Sequence, residues 1–139
     1  MRKRVLLTAS FVLVIAGCSQ TVTMDAASVT RFEDGSEWVM VGELVGSEDG
    51  SSITRLSGTG LNCEMRLSRQ PDRSVAGVMN CTDAVTDQLL YSEPQVLPAQ
   101  ENSRNGDYIA EVNTPVGPGL MAFGWGNRAD AETLRALLF

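Results

Sequence analysis

Apolar and polar residues alternate with a period of two in several short runs along the chain, a pattern typical of β-strands. Glycine, proline and acidic residues separate the runs, as expected of turns between antiparallel strands. The strands predicted in this way cover residues 29–32, 38–45, 53–57, 61–68, 75–81, 87–91, 108–112 and 120–125. Both faces of the 38–45 run are largely apolar, so we expect this strand to be covered on each side.

A short helix is predicted over residues 131–138, because Leu134, Leu137 and Leu138 share one face at the spacing i, i+3, i+4. Asp130 precedes the helix in the N-cap position. Seven to nine short strands and one terminal helix predict a mainly β fold. We therefore expect a small antiparallel barrel or sandwich with a short C-terminal helix, formed as one domain by residues 29–139.

Cys63 and Cys81 lie in two predicted strands that flank a turn at Asp72. A hairpin that pivots about Asp72 pairs residues equally distant from it, which places Cys63 opposite Cys81 and Met65 opposite Met79. Directly opposed residues lie about 4.5–5.5 Å apart between Cα atoms, within reach of a disulfide. The pattern predicts a structural Cys63–Cys81 bridge, since a redox-active pair is more often a Cys-x-x-Cys motif.

The N-terminus has the features of an export signal. Arg2, Lys3 and Arg4 precede an apolar stretch over residues 5–16. A helix of that length spans roughly 18 Å, well short of the ~30 Å hydrocarbon core of a bilayer. Residues 1–17 are therefore predicted to be a secretory signal peptide.

The end of this segment, Ile15-Ala16-Gly17-Cys18, resembles the lipobox of bacterial lipoproteins. In that family a branched aliphatic residue, usually leucine, and two small residues precede the cysteine, so Ile15 departs slightly from the pattern. The resemblance covers the leader and Cys18 only. It implies cleavage before Cys18 and acylation of that residue, which would anchor the protein to a membrane. It also implies the outer membrane, facing the periplasm, since Ser19 replaces the aspartate that favours inner-membrane retention.

Residues 18–28 are small and polar without clear periodicity. We interpret this segment as the lipidated cysteine followed by a flexible tether. A chain of ten residues reaches at most about 35 Å. The folded domain is therefore expected to lie close to the membrane surface.

Composition excludes several functions. The 139 residues include 11 Lys and Arg, 17 Asp and Glu, and no His, for a net charge of −6. Three of the basic residues lie within the predicted signal peptide, so the mature chain is more acidic still, and we predict no nucleic-acid partner. Without histidine, Ser-His-Asp and Cys-His catalysis and histidine-based zinc sites are excluded. No catalytic residue, metal site or cofactor is predicted.

Few residues suggest chemistry of their own. Trp38 and Trp125 are candidates for lining a ligand pocket, although packing in the core is the more common role of such residues. Glu43 and Glu64 interrupt apolar strands and are the carboxylates that stand out, but pairing with an arginine such as Arg66 is the ordinary role of such a residue. Residues 94–106 form the longest polar stretch and are predicted to be a mobile loop.

Three functions are compatible with this sequence. The leading hypothesis is a lipid-anchored envelope protein that acts by contact with another envelope protein or the cell wall, in assembly, scaffolding or inhibition. The alternative is a small-barrel module that binds an apolar or lipidic ligand near Trp38 and Trp125. The third is a hydrolase that uses paired carboxylates and no histidine.

Overall fold

The structure, a computed structural model, describes residues 20–98 and 104–138. The predicted signal peptide, the lipobox with Cys18, and Ser19 lie outside the described residues, as do positions 99–103 of the predicted loop. The elements are β1 (Thr21–Phe32), β2 (Glu37–Ser47), β3 (Ser52–Gly58), β4 (Leu61–Arg69), β5 (Val75–Asp83), β6 (Leu89–Leu97), β7 (Gly106–Thr114), β8 (Gly117–Trp125), a 3-10 turn (Gly126–Arg128) and α1 (Ala131–Ala136).

All eight strands belong to one antiparallel sheet in the order β6-β5-β4-β3-β2-β1-β8-β7. The sheet curls into a nearly closed barrel, which confirms the predicted mainly β fold with a short C-terminal helix. Side chains span the seam between β6 and β7. The Tyr108 hydroxyl lies 3.5 Å from Gln95 Oε1, and the Asn113 backbone N–H donates to Glu93 Oε1 at 3.4 Å.

Two apolar clusters hold the fold together, one inside the barrel and one outside it. The interior is filled by side chains from all eight strands, among them Met40, Met65, Met79 and Phe123. The outer cluster forms where α1 packs on β1 and β8, and its buried residues are Ala27, Val29, Ala122, Leu134 and Leu138. The helix therefore covers one side of the sheet. Its N-cap is Asp130, as predicted, because the Asp130 carboxylate accepts the Thr133 N–H at 2.9 Å.

The strand that is covered on both faces is not the one that was predicted. On β2 the outward Val41 is 60% exposed, so the expectation for residues 38–45 is wrong. On β1, Ala26, Ala27, Ser28, Val29 and Thr30 are all buried, because the barrel interior covers one face and α1 covers the other.

The tether predicted over residues 18–28 is also wrong from Thr21 onward. Residues 21–31 pair with β2 in continuous antiparallel register, and β1 also pairs with β8 from Ala26. A small, polar sequence can form a strand here because β2, and from Ala26 also β8, satisfies its backbone groups. Because β1 begins at Thr21, the folded domain includes at least eight residues before the predicted boundary at residue 29.

The loop predicted over residues 94–106 is wrong at both ends. Pro94 and Leu97 belong to β6, where Pro94 lies opposite Val78, and Gly106 begins β7. Proline is tolerated in β6 because this is an edge strand of the sheet.

The cysteine hairpin has the predicted register. Cys63 lies opposite Cys81 and Met65 lies opposite Met79. The two cysteine sulfurs are 2.07 Å apart, at bonding distance, and both cysteines are buried. The bridge therefore joins β4 to β5 inside the barrel.

Candidate functional site: a cavity at the open end of the barrel

The two ends of the barrel differ. At the end that carries the β1–β2 and β5–β6 turns, the rings of Phe32 and Trp38 meet edge to face with centroids 4.9 Å apart. Tyr91 follows with its ring centroid 6.4 Å from that of Trp38. Burial, together with the nearby Glu93 charge, raises the pKa of Tyr91 to about 12. We call this the closed end, and the opposite end, where β1 begins, the open end.

A cavity of about 270 Å³ lies at the open end. Its volume exceeds the roughly 150 Å³ of an engineered apolar cavity that binds benzene, and approaches the ~300 Å³ of the smallest ligand pockets. Its apolar wall is formed by Met24, Leu44, Leu67, Val75, Leu97, Phe123 and Trp125.

Small residues create this space. On β2 and β3 the inward-facing positions nearest the open end are Gly46 and Ser52, which lie opposite each other. A Cβ added at Gly46 would come no closer than 3.8 Å to Leu44 and 3.9 Å to Met24. Among the described residues, β2 and β3 therefore place only small side chains in the barrel beyond Leu44.

Trp125 forms one wall of the cavity and Trp38 does not. The Trp125 ring lies directly over the backbone of Gly106, where an added Cβ would collide with the indole. Its centroid is 5.8 Å from that of Phe123, which is also in the wall. Trp38 instead belongs to the closed end. The two tryptophans thus do not share one pocket, and the candidate site keeps Trp125 only.

Charged residues surround the mouth of the cavity. Arg69 ends β4 and continues its inward-facing set, and its guanidinium lies against the β2–β3 turn, 2.9 Å from where a Gly50 Cβ would stand. Arg73 lies in the β4–β5 turn, and Glu48 in the β2–β3 turn. Neither arginine makes an ion pair with a described residue. Among the described residues that line the cavity, the charged ones are therefore two exposed arginines and one exposed glutamate.

The chain enters the barrel at this same end. Thr21, the first residue of β1, lies opposite Ser47, which lines the cavity. Thr21 stands three positions after Cys18 in the sequence, and a span of three residues is at most about 11 Å. Whatever is attached at Cys18 is thus held near the open end.

The two candidate carboxylates have ordinary surroundings. Glu64 accepts from Arg66 Nε at 2.6 Å and from Arg55 Nε at 3.1 Å, and the hydrogen bond from Arg66 is the main cause that holds the pKa of this carboxyl below its usual range. A general acid needs the opposite shift. Glu43 is exposed on the outer face of β2. Within residues 20–98 and 104–138, no three acidic or cysteine side chains converge as a metal site.

A larger hollow, of about 540 Å³, lies at the closed end beside the β7–β8 hairpin. Arg31, Glu33 and Glu111 are in its wall, and both glutamates are exposed. Charged walls open to water favour an apolar ligand less than the cavity beside Trp125 does.

Comparison with known proteins adds no assignment. No match to this chain was found among protein-family models, curated proteins or solved structures. Within the part of the chain that the structure describes, no helix has the length and apolar character needed to cross a membrane.

Sequence reasoning missed the residues that make the site. Gly46 is the last inward-facing residue of β2 and has no side chain, which the alternation along the strand already indicated. Only the closure of the sheet into a barrel shows that it lies at the mouth of the cavity. Arg73 had a clearer signal, because it stands where the two Glu-Asp-Gly-Ser turns carry glycine.

Proposed function

We propose that this protein is a lipid-anchored envelope protein that binds an apolar chain in the cavity at the open end of its barrel. The observation that carries the proposal is the position of the cavity at the end where β1 begins, within about 11 Å of chain from Cys18. With an acylated Cys18, the mouth faces the membrane surface. We place the anchor in the outer membrane, with the barrel in the periplasm.

The cavity suits one apolar chain better than a compact polar molecule. Its walls are aliphatic and aromatic side chains, and burial of each methylene group is worth about 0.8 kcal/mol. The filled interior limits how far a chain can enter, because Met40, Met65 and Met79 occupy the barrel beyond the cavity. The protein would hold the end of an acyl chain while the rest of the molecule stays at the mouth.

The test uses the full chain in phosphatidylcholine nanodiscs, with 12-bromododecanol as a neutral probe whose bromine quenches nearby indoles. In a Trp38→Phe variant the remaining indole is Trp125, so quenching reports entry into the cavity. Gly46→Leu fills the mouth, where a Cβ meets no close contact. We expect saturable quenching that Gly46→Leu abolishes.

Val41→Leu is the matched control, since Val41 lies on the same strand and faces outward with 60% exposure. It should leave quenching unchanged. Equal quenching in the Gly46→Leu and control proteins would show that the probe reaches Trp125 from the bilayer and not through the cavity, and would overturn the proposal.

Contact with another envelope protein is the second candidate. The observation that favours it is the outward apolar side chains of the β5–β6 edge, where Val78, Leu89, Leu90 and Val96 are between 41% and 69% exposed. A photo-crosslinking probe at Val96 in the native host should yield one abundant protein adduct, and a probe at outward Glu43 should not. Equal labelling at both positions would argue against this contact.

A further inference from the structure

We propose that Arg69 and Arg73 bind the head group of a single-chain anionic amphiphile, carboxylate or phosphate, whose tail occupies the cavity. This inference rests on the proposed function and specifies its ligand. Both arginines belong to the β4–β5 hairpin at the cavity mouth, and both are exposed.

The backbone of Arg73 is the first argument. Three hairpins of the barrel have the same turn, with aspartate followed two residues later by serine. Between these residues two of the turns carry glycine, Gly35 at φ 84° and Gly50 at φ 85°. The third carries Arg73 at φ 71°, in the left-handed region that residues with a Cβ enter at a cost of roughly 1–2 kcal/mol. Strained backbone is often found at functional sites, and of the three described non-glycine residues with positive φ, which are Thr59, Arg73 and Asp87, Arg73 is the one that lines the cavity.

The second argument is the position of Arg69. Its neighbour on the same face of β4, Leu67, is in the apolar wall, so Arg69 is the point where that wall meets solvent. Its guanidinium lies against the turn at Gly50, which holds it over the mouth. A guanidinium matches both carboxylate and phosphate oxygens through paired N–H donors.

The arrangement of apolar and charged side chains at the cavity indicates that its ligand is an amphiphile. Apolar residues line the cavity, and at its rim stand two guanidiniums that make no ion pair with a described residue, so a ligand with a chain and a single anionic end satisfies both regions. Glu48 is the acidic residue among those that line the cavity, so the described lining, with Arg69 and Arg73, carries a net charge of +1. The chain as a whole has a net charge of −6, so two arginines in the lining of one cavity are opposite in sign to its overall charge.

The experiment repeats the Trp125 quenching assay with 12-bromododecanoate at alkaline pH and with 12-bromododecyl phosphate, alongside the neutral alcohol. Arg73→Gly is the principal variant, because glycine accepts the positive φ and should not harm folding. Arg69→Gln is the second, and Arg55→Gln is the matched control on the outer face, 65% exposed.

We expect the anionic probes to bind more tightly than the alcohol, and each mouth variant to weaken them about tenfold, the loss of one charge-assisted hydrogen bond. Binding of the alcohol should not change, and Arg55→Gln should have no effect. The ratio of carboxylate to phosphate affinity distinguishes a fatty-acid ligand from a single-chain phospholipid. If the alcohol binds and the anions gain nothing from the arginines, the inference fails while the proposed function stands. If no probe enters the cavity, the proposed function fails as well.

Discussion

Arg73 and Gly50 occupy the same position in two equivalent hairpin turns at the open end of the barrel. In each turn an aspartate Oδ1 accepts the N–H of the serine two residues later at 2.9 Å, and the residue between them has positive φ, 71° for Arg73 and 85° for Gly50. The same backbone is thus made once with glycine and once with arginine. Since glycine adopts this conformation without a steric cost, the arginine lowers the stability of its turn.

Arg73→Gly should stabilise the protein. Removal of the Cβ from a left-handed residue is expected to raise the free energy of unfolding by about 1 kcal/mol, after the greater entropy of glycine in the unfolded chain is counted. Urea unfolding followed by tryptophan fluorescence measures this change. The gain in stability would accompany the loss of anion binding proposed for the same variant.

Gly35→Ala provides the control for that measurement. Gly35 has φ 84° in the equivalent turn at the closed end, and a Cβ there would meet nothing within 4 Å. Its substitution therefore isolates the backbone cost and should destabilise by about 1 kcal/mol. A loss of stability in both variants would contradict the assignment of strain to Arg73.

The Cys63–Cys81 bridge should contribute strongly to stability. It closes a loop of 18 residues, for which the chain-entropy estimate is about 3 kcal/mol. The double variant Cys63→Ala/Cys81→Ala should lose about that amount in urea unfolding, and dithiothreitol should have no further effect on it. Non-reducing mass spectrometry of the exported protein should find the bridge, and two free thiols in folded material would contradict it.

The cysteine hairpin was predictable because it is local. One turn signal at Asp72 fixed which residues face each other, and the apolar positions on both strands agreed with that register. The cap at Asp130 was predictable for the same reason, since an aspartate side chain at a helix start accepts hydrogen bonds from backbone N–H groups two or three positions away.

The predictions that were wrong concern residues whose neighbours in the structure are distant in sequence. The small, polar residues at positions 21–28 give no indication that this segment pairs with β8. In the structure β8 lies beside β1 and helps to bury Ala26 and Ser28. The position of the cavity could not be predicted for a similar reason, because its wall combines Met24 and Trp125, which are distant in sequence. Trp38 and Trp125 are alike in the sequence and are separated only by the barrel.

Thr54→Val should stabilise the barrel. Thr54 is 1% exposed on the inward face of β3, and its hydroxyl has no hydrogen-bond partner among the described residues. A buried hydroxyl without a partner costs about 1–3 kcal/mol, and valine has nearly the same shape. We expect a gain of about 1 kcal/mol in urea unfolding. Thr82→Val is the control, because Thr82 donates to the Asn62 carbonyl at the surface and should show no gain.

Glu37 should make the stability depend on pH, because its carboxylate joins α1 to the barrel. It accepts from Arg135 Nε of the helix and from Arg31 Nη2 of β1, both at 2.9 Å. These hydrogen bonds, that from Arg135 first, hold the pKa of Glu37 below its ordinary value of 4.5. A carboxyl whose pKa is lowered by folding stabilises the protein above its unfolded pKa, and that contribution is lost as pH falls through the folded value.

Glu37→Gln should therefore be less stable than the parent protein at neutral pH, and the difference should shrink steadily as the pH falls below about 4.5. Urea unfolding at a series of pH values measures it. Glu43→Gln is the matched control, since Glu43 is exposed on the same strand and makes no ion pair with a described residue. Its effect should stay within about 0.5 kcal/mol at every pH. A constant difference between Glu37→Gln and the parent across the acid range would show that the contact with Arg135 does not depend on the charge of Glu37.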